Sequence, residues 1–293
     1  MKTKNTANYD SSPNIHRLLN LSWIEINELD KSRTVVLLPV SPIEEHGPHL
    51  PVGTDVFGAE DIAGKTVSYL SQSSPDTHAV LAPVIPLGCA PITADFPGTF
   101  PISGNTFKNL ISEFCESLTK SGFRYIVIVN HHLDSVHLKA ILEAIEKVEQ
   151  ENDVRIVETA GRLLYSDMQL SELEECRNLG LDIRTEMHGD VRETSYILHK
   201  DTDLLKLDYH TLKPVLIDIK QGMKEGKKTF REMGATDGYV GSPALANDDL
   251  GRIHLEEQGM LIAEMITALL KGESLPEMRP AISAYLKNRV TLN

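Results

Sequence analysis

The sequence predicts an α/β protein with a parallel sheet and helices on both of its faces. Short apolar runs alternate along the chain with longer segments of helical spacing, which is the order of repeated β–α–β units. The chain has 293 residues, 41% of them hydrophobic, which is enough for one large domain with a sizeable core. Loops rich in histidine and carboxylate residues follow two of the predicted strands. We therefore expect a site at one edge of the sheet.

Four strands and four helices are predicted along the chain. The strands are short apolar runs rich in β-branched residues, and they cover 34–40, 78–85, 124–129 and 154–157. The helices have apolar residues at helical spacing, and they cover 56–70, 105–120, 136–151 and 250–271. Residues 160–250 have less regular patterns. Polar residues 1–16 are predicted to be a flexible arm, and 17–293 a single domain.

Composition restricts the class of protein. The formal net charge of −13 argues against nucleic acid or an anionic membrane as a partner, because both are bound by basic surfaces. The chain has 3 cysteines, far apart and without a CxxC pair, so neither a disulfide framework nor a cysteine zinc site is expected. No apolar run approaches the ~20 residues of a membrane span, and no signal-peptide core is present. We expect a cytoplasmic enzyme or binding protein.

The first ligand-rich loop is "SPIEEHGPHLPVGTD", residues 41–55. Glu44 and His46 are two residues apart, so in an extended segment both side chains point to one side. The prolines and glycines of the loop allow it to fold back and bring Asp55 beside this pair. Carboxylate and imidazole ligands suit Zn²⁺, Mn²⁺ or Fe²⁺. A polar loop with solvated charges explains this segment about equally well when it is taken alone.

Two later segments carry the same residue types. In "VNHHLDS", 129–135, His132 and Asp134 repeat the two-residue spacing after a strand, although histidines that cap a turn are slightly favoured there. In "TEMHGDVRETSYIL", 185–198, His188 is a candidate general acid or base, and Glu193 is a candidate ligand or a helix N-terminal residue. Taken alone, this segment favours structural roles for both.

The predicted topology places the ligand-rich loops after two strands at the same edge of the sheet, so together they indicate one site. In open parallel sheets, sites form beyond the carboxyl ends of strands, so the loops after 34–40 and 124–129 are expected to meet. No G-x-S-x-G elbow, phosphate-binding loop or dinucleotide fingerprint is present. With no activated serine or cysteine in view, a metal-bound hydroxide is the natural nucleophile.

Five segments together resemble the patterns of the creatininase (creatinine amidohydrolase) family. Residues 41–55 resemble G-S-x-E-Q-H-G-P-H-L-P-x-x-T-D, and "FPGTF", 96–100, resembles its F-P-G-T loop. "VNHHLDS" resembles the N-G-H-x-x-N segment, and "HGDVRETS", 188–195, resembles H-A-G-x-x-E-T-S. "GYVGSPALANDDLG", 238–251, resembles a late glycine-rich segment. The resemblance implies a single-domain, three-layer α/β/α fold with a mostly parallel sheet and a two-metal hydrolase that opens a cyclic amide or removes a formyl group.

The resemblance also implies residue roles. Four positions match the family's metal ligands, with the aspartate bridging two ions: Glu44, His46, Asp55 and His132. Asp134 matches a glutamate that ligates the second ion in creatininase, and Glu193 matches the E-T-S glutamate, a ligand or a residue that supports one. His188 matches a histidine that is proposed to shuttle protons, and Asp134 is the other candidate for protonating the leaving nitrogen. The expected substrate contacts are Thr93, Asp95 and Leu133.

Departures from the family pattern concern the pocket wall. His131 stands where the family has glycine, Leu133 replaces a tyrosine that contacts substrate in creatininase, and Asp190 interrupts the H-A-G pattern. The only tryptophan is Trp23, whereas creatininase closes its site with tryptophans near the catalytic histidine. We therefore do not expect creatinine itself to be the substrate.

The expected function is hydrolysis of a C–N bond, in an amide, cyclic amide or formamide of a small polar molecule, by a metal-bridged hydroxide. The cofactors expected are two divalent ions per subunit, and the ligand types do not distinguish zinc, manganese and iron. Two alternatives stay open: hydrolysis of a C–C bond of a cyclic ketone on the same site, and a non-catalytic metal- or small-molecule-binding protein that keeps the fold. The resemblance implies a homo-oligomer, often a hexamer.

Overall fold

Five parallel strands form one sheet in this computed structural model, which describes residues 13–292. The strands are β1 Ile15–Arg17, β2 Thr34–Val40, β3 His78–Leu81, β4 Tyr125–Asn130 and β5 Arg155–Glu158. Their spatial order is β1-β3-β2-β4-β5. In this register Leu37 of β2 lies opposite Leu81 of β3 on one side and Val127 of β4 on the other. β2 is therefore the central strand, and all seven of its residues are buried.

Helices cover both faces of the sheet. Those in the described part of the chain are α1 Trp23–Glu28, α2 Thr54–Ser73, α3 Gly104–Lys120, α4 Ser135–Glu151, α5 Ala160–Leu164, α6 Ser171–Asn178, α7 Val191–Lys200, α8 Ile219–Lys224, α9 Phe230–Met233, α10 Asp248–Lys271 and α11 Pro280–Arg289. Side chains alternate along β2, since successive residues of a strand point to opposite faces. Val36 packs with residues of α3 and α4, and Leu37 packs with residues of α2 and α10. The fold is the predicted three-layer α/β/α arrangement.

Each of the four predicted helices begins within two residues of its predicted start. Ser103 caps α3 by accepting a hydrogen bond from Thr106 N, and Asn247 caps α10 by accepting one from Leu250 N. β3 ends four residues before the predicted end of its apolar run, just before Pro83, which has no N–H for the ladder. Pairing resumes only as a single bridge between Val40 and Ile85.

The edge strand β1 was not predicted. It pairs with β3, and it has only three residues, two of which are His16 and Arg17, so the sequence shows no apolar run there. Most of the predicted arm, 1–16, lies outside the described residues. Its last residues, Ile15 and His16, belong to this strand. The predicted domain boundary at 17 stays a prediction.

The irregular segment between α5 and α10 closes over the carboxyl edge of the sheet. An antiparallel bridge joins His188 to Val240, and small apolar clusters hold α7 and α9 in place. This segment therefore brings the third candidate motif towards the loops that leave β2 and β4. None of the helices in residues 13–292 is both long and apolar enough to cross a membrane.

Candidate metal centre

Neighbouring strands deliver the ligand-rich loops to one place. β2 ends at Val40 and β4 ends at Asn130, and these two residues are partners in the parallel ladder. The loop after β2 carries Glu44 and His46. Asp55 lies in the first turn of α2, where the helix dipole favours a negative charge. The loop after β4 is only four residues long and carries His132. The site therefore lies where the strand ends predict it.

One group of possible ligands consists of Glu44, Asp55 and His132. His132 Nδ1 lies 3.0 Å from Glu44 Oε2 and 3.0 Å from Asp55 Oδ2. His132 Nε2 lies 3.0 Å from the carbonyl oxygen of Cys89, which can only accept, so Nε2 carries the hydrogen in the neutral ring. The lone pair of Nδ1 then faces two carboxylate oxygens. A cation between these atoms, or a proton on Nδ1, removes that repulsion.

A second group consists of His46, Asp55 and Glu193. His46 Nδ1 lies 3.0 Å from the carbonyl oxygen of Glu44, so this nitrogen donates and Nε2 presents its lone pair. His46 Nε2 lies 3.5 Å from Asp55 Oδ1 and 3.8 Å from Glu193 Oε1. Asp55 thus presents Oδ2 to the first group and Oδ1 to the second.

Unsatisfied atoms show that a metal fits these residues. Glu44 Oε2, His46 Nε2 and Asp55 Oδ2 are buried without a hydrogen-bond partner of good geometry. A buried polar atom left in this state costs on the order of 1–3 kcal/mol, so three of them in one place need another partner. Metal-bound histidines commonly donate their second N–H to a main-chain carbonyl, as both rings do here. The imidazole and carboxylate donors suit zinc, manganese or iron.

Electrostatics in the metal-free protein favour positive charge at the same point. Burial lowers the pKa of His132, but the carboxylates of Glu44 and Asp55 outweigh burial and hold this pKa well above its usual value. The pKa of His46 is likewise raised well above its usual value against the effect of burial, by Asp55 and Glu193. Burial raises the pKa of Asp55, yet His46 and the neighbouring imidazoles hold it well below its ordinary value. Protons on the rings therefore compete with metal, and acid should release a bound ion.

His188 lies beside the second group. Its Nε2 donates to the carbonyl oxygen of Glu45 over 2.6 Å, and its ring centroid lies 4.3 Å from that of His46. A nitrogen of His188 also falls within ligand distance of Glu44 and His46. The ring can thus either carry a proton or serve as a ligand, and its predicted catalytic role stays a prediction.

The two carboxylates left open by the sequence have different surroundings. Glu193 Oε1 faces His46, while its Oε2 accepts a hydrogen bond from Gly189 N over 2.6 Å, which orients the side chain. Asp134, in contrast, is the N-cap of α4, and its Oδ1 accepts hydrogen bonds from Val136 N and His137 N at 2.7 and 3.3 Å. Within residues 13–292, Asp134 joins none of the groups that could hold a metal. Glu193 therefore stays the candidate for the further ligand, and Asp134, which lines the cavity beside these groups, stays a candidate for the proton transfer.

Only one of the three expected substrate contacts lines the cavity beside these groups. The cavity has a volume of about 560 Å³, and Leu133 is in its wall. Thr93 is fully buried and donates a hydrogen bond to Glu44 Oε1 over 2.5 Å, so it orients a ligand. Asp95 is exposed and accepts a hydrogen bond from Thr229 Oγ1 over 2.9 Å. Loop position alone did not distinguish these roles.

Sequence reasoning missed the residues that support the ligands. Asn130 holds His132 by donating to its carbonyl oxygen over 2.7 Å and accepting from its N–H over 2.9 Å. His131 lies 3.0 Å from Asp55 Oδ1, and His254 of α10 contacts His131 in turn. The available signal for His254 was a histidine followed four residues later by Gln258 on the buried face of the last helix.

Comparison with known proteins identifies the family. A family sequence model described as "Creatininase: Creatinine amidohydrolase" matches residues 19–266. A "Mycofactocin precursor peptide peptidase" of Mycolicibacterium smegmatis is 36% identical over 115 residues, which are 39% of this chain and 46% of that protein. A "Creatinine amidohydrolase" of Pseudomonas putida is 26% identical over 211 residues, 64% of this chain and 73% of that protein.

A solved structure described as "Creatininase Mn" aligns with a TM-score of 0.70 at 21% identity, over 87% of this chain and 98% of that one. The chain spans about half the length of the peptidase, its first relative, so that protein's activity is not carried over here. The fold agrees with the structural neighbour, and the family match covers most of the sequence. The chain therefore belongs to the creatininase family.

Proposed function

We propose that this protein is a metal-dependent hydrolase of amide C–N bonds that holds two divalent ions. The observation that carries the proposal is the position of Asp55. Its Oδ2 lies 3.0 Å from His132 Nδ1, its Oδ1 lies 3.5 Å from His46 Nε2, and both nitrogens present lone pairs. One buried carboxylate between two sets of donors is the arrangement of a bridging ligand. Family membership and the names of the relatives, an amidohydrolase and a peptidase, support the same reaction class.

Five side chains would hold the ions, namely Glu44, His46, Asp55, His132 and Glu193. When bound, the ions supply water activation near neutral pH and polarise the substrate carbonyl. The ligands keep this chemistry in a buried place, where charges act more strongly than in water.

His188 is the proposed proton carrier. Its Nε2–H donates to the Glu45 carbonyl, which fixes the ring beside His46 and leaves Nδ1 to hold a proton. Proton transfer to the leaving nitrogen by such a group contributes typically ~10²–10⁴-fold in rate. The ring of Phe230 packs beside this histidine, with its centroid 5.5 Å away, and both side chains line the cavity.

The cavity supports a substrate larger than creatinine. Its volume of about 560 Å³ is in the range of pockets for drug-sized ligands. The wall combines apolar side chains with three arginines, and these residues include Leu133, Ile183, Met187, Phe230, Arg184, Arg192 and Arg279. The sequence favoured a small polar molecule. We propose instead an amide or short peptide with an apolar group next to the scissile bond.

A substrate screen tests this function. The manganese- or zinc-loaded protein is incubated with cyclic amides, formamides, short peptides and cyclic ketones, and products are identified by mass spectrometry. We expect amide or peptide cleavage that Asp55→Ala and chelation both abolish. Turnover of ketones alone would support the C–C alternative, and metal binding with no turnover would support a binding protein. The homo-oligomeric state and the cytoplasmic location stay predictions, to be checked by light scattering and cell fractionation.

A further inference from the structure

A chain of buried side chains leads away from Asp55 into the protein. His131 Nδ1 lies 3.0 Å from Asp55 Oδ1, and His131 Nε2 lies 2.9 Å from His254 Nε2. His254 Nδ1 lies 2.6 Å from Glu172 Oε2. These four side chains are between 1% and 5% exposed. His131, His254 and Glu172 belong to none of the ligand groups described above, so these three residues do not hold an ion directly.

The partners fix the direction of the hydrogen bonds. Ionised carboxylates only accept, so His131 Nδ1 donates to Asp55 and His254 Nδ1 donates to Glu172. The two Nε2 atoms face each other, and Gln258 Nε2 lies 3.3 Å from Nε2 of His254. Arg192 Nη1, 3.9 Å from Glu172 Oε1, places a positive charge at the far end.

The surrounding packing is shaped for the His131 ring. A Cβ atom at Gly58 of α2 would lie 2.5 Å from Cγ of His131, so only glycine leaves room for the ring there. The ring of Tyr196 lies against both imidazoles, with its centroid 5.7 Å from that of His131 and 5.7 Å from that of His254. His131 occupies a position where the family pattern has glycine. The absence of a side chain at Gly58 is therefore what makes room for the imidazole of His131.

We propose that His131, backed by His254 and Glu172, is a positioning residue that fixes the Asp55 carboxylate for metal binding. This inference rests on the proposed two-metal function. It goes beyond that function because it makes the affinity of the site for metal depend on three residues that are not ligands.

The geometry shows why Asp55 needs this support. Its Oδ1 both accepts from His131 and faces His46, while its Oδ2 faces His132. A hydrogen bond of fixed direction to Oδ1 stops the carboxylate from turning about its Cβ–Cγ bond. If the carboxylate turns, the group that contains His46 loses an oxygen ligand, so the ion of that group depends most on His131.

Manganese binding tests the inference. The chelator-treated wild type and its variants are titrated with Mn²⁺ alone, followed by calorimetry and electron paramagnetic resonance. We expect the wild type to bind two ions with the spectrum of a spin-coupled pair. His131→Ala should weaken the second ion about 10–100-fold and give the spectrum of isolated ions. His131→Asn, which places an N–H near the position of Nδ1, should restore most of the affinity.

A variant of His254 tests the contribution of the residues behind His131. His254→Phe keeps a ring against Tyr196 but removes both nitrogens, and it should weaken the second ion less than His131→Ala does. The double variant should bind no more weakly than His131→Ala alone, because both changes act through one chain. Additive losses in the double variant would contradict this account.

A matched control separates positioning from general destabilisation. Tyr196→Phe removes the buried hydrogen bond of 2.6 Å from Tyr196 Oη to Asp61 and leaves the chain intact. It should lower Tm without changing Mn²⁺ affinity. An equal loss of affinity in Tyr196→Phe, or unchanged binding in a folded His131→Ala, would overturn the inference alone. A wild type that binds no Mn²⁺ would overturn the proposed function as well.

Discussion

At the residue scale, the two histidines proposed as ligands owe their orientation to main-chain carbonyls. The Cys89 carbonyl takes the Nε2 hydrogen of His132, and the Glu44 carbonyl takes the Nδ1 hydrogen of His46. Opposite nitrogens of the two rings are thereby left to face Asp55. Because main-chain atoms set the tautomers, the donors are in place before an ion arrives, and less ordering entropy is lost when it binds.

Metal content and turnover of a His188 variant distinguish a proton carrier from a metal ligand. We expect His188→Ala to keep its full metal content and to lose turnover by about 10²–10⁴-fold, because the side chain carries a proton and does not hold an ion. Elemental analysis and product assays on the same sample measure both. Loss of one ion per chain from the variant would instead make His188 a ligand.

The buried carboxyl of Glu158 predicts a dependence of stability on pH. Burial raises its pKa from 4.5 to about 7, against hydrogen bonds from Asn130 and the Gly161 N–H. Between these values the native state holds more protons than the unfolded state, so the free energy of unfolding falls as pH rises through that window. Glu158→Gln should remove of order 3 kcal/mol of this fall. Urea unfolding at pH 5 and pH 7.5, with chelator present, measures it, and an unchanged slope in the variant would contradict the assignment.

At the scale of elements, helix starts carry the site as much as strand ends do. Asp55 lies in the first turn of α2, and Asp134 caps α4 immediately after the ligand loop. An aspartate at such a place is equally a good cap and a good ligand, so spacing alone cannot separate the two roles. The hydrogen bonds of Asp134 to two main-chain N–H groups favour the cap.

A pair of substitutions separates cap from ligand at Asp134. Asn is about as good an N-cap as Asp but lacks the carboxylate, so we expect Asp134→Asn to keep both metal content and stability. Asp134→Ala should lower the free energy of unfolding by about 1 kcal/mol, again with full metal content. Denaturant titration and elemental analysis provide the two readouts. Loss of metal from Asp134→Asn would contradict this expectation and show that Asp134 is a ligand.

Gly58 of α2 contacts His131 in the loop after β4, so the effect of a substitution at Gly58 should depend on which residue stands at 131. We expect Gly58→Ala alone to push the His131 ring from Asp55 and to lower both stability and metal affinity, since its Cβ would lie 2.5 Å from His131 Cγ. In a His131→Gly background the same change should be harmless, and stabilising by up to about 1 kcal/mol, because alanine favours the helix over glycine. Thermal unfolding of the four proteins tests this. Equal destabilisation by Gly58→Ala in both backgrounds would contradict it.

At the scale of the whole molecule, the parts that sequence reasoning found are those that local patterns encode. β2 and β4 are continuous apolar runs because both faces of the sheet are covered, and the loops after them carry ligands at short spacing. The edge strand β1 has no such pattern. The contact of His254 with Glu172 joins residues that are 82 positions apart in the sequence. It depends on how α10 packs, so no local spacing predicts it.

The same reasoning explains why loop position did not separate the surroundings of the predicted substrate contacts. Thr93 and Asp95 share a loop, yet one is fully buried against Glu44 and the other is exposed beside Thr229. Which side of a loop faces the substrate depends on the irregular segment that closes over it, whose conformation is set by tertiary contacts rather than by periodicity.

The metal content of the purified protein tests the central claim most directly. Wild type and Asp55→Ala, purified without chelator and incubated with zinc or manganese, are compared by elemental analysis per chain. The account predicts two ions in the wild type and none in the variant, because both ligand groups share this one carboxylate. A wild type without metal, or an Asp55→Ala protein with the wild-type content, would contradict it.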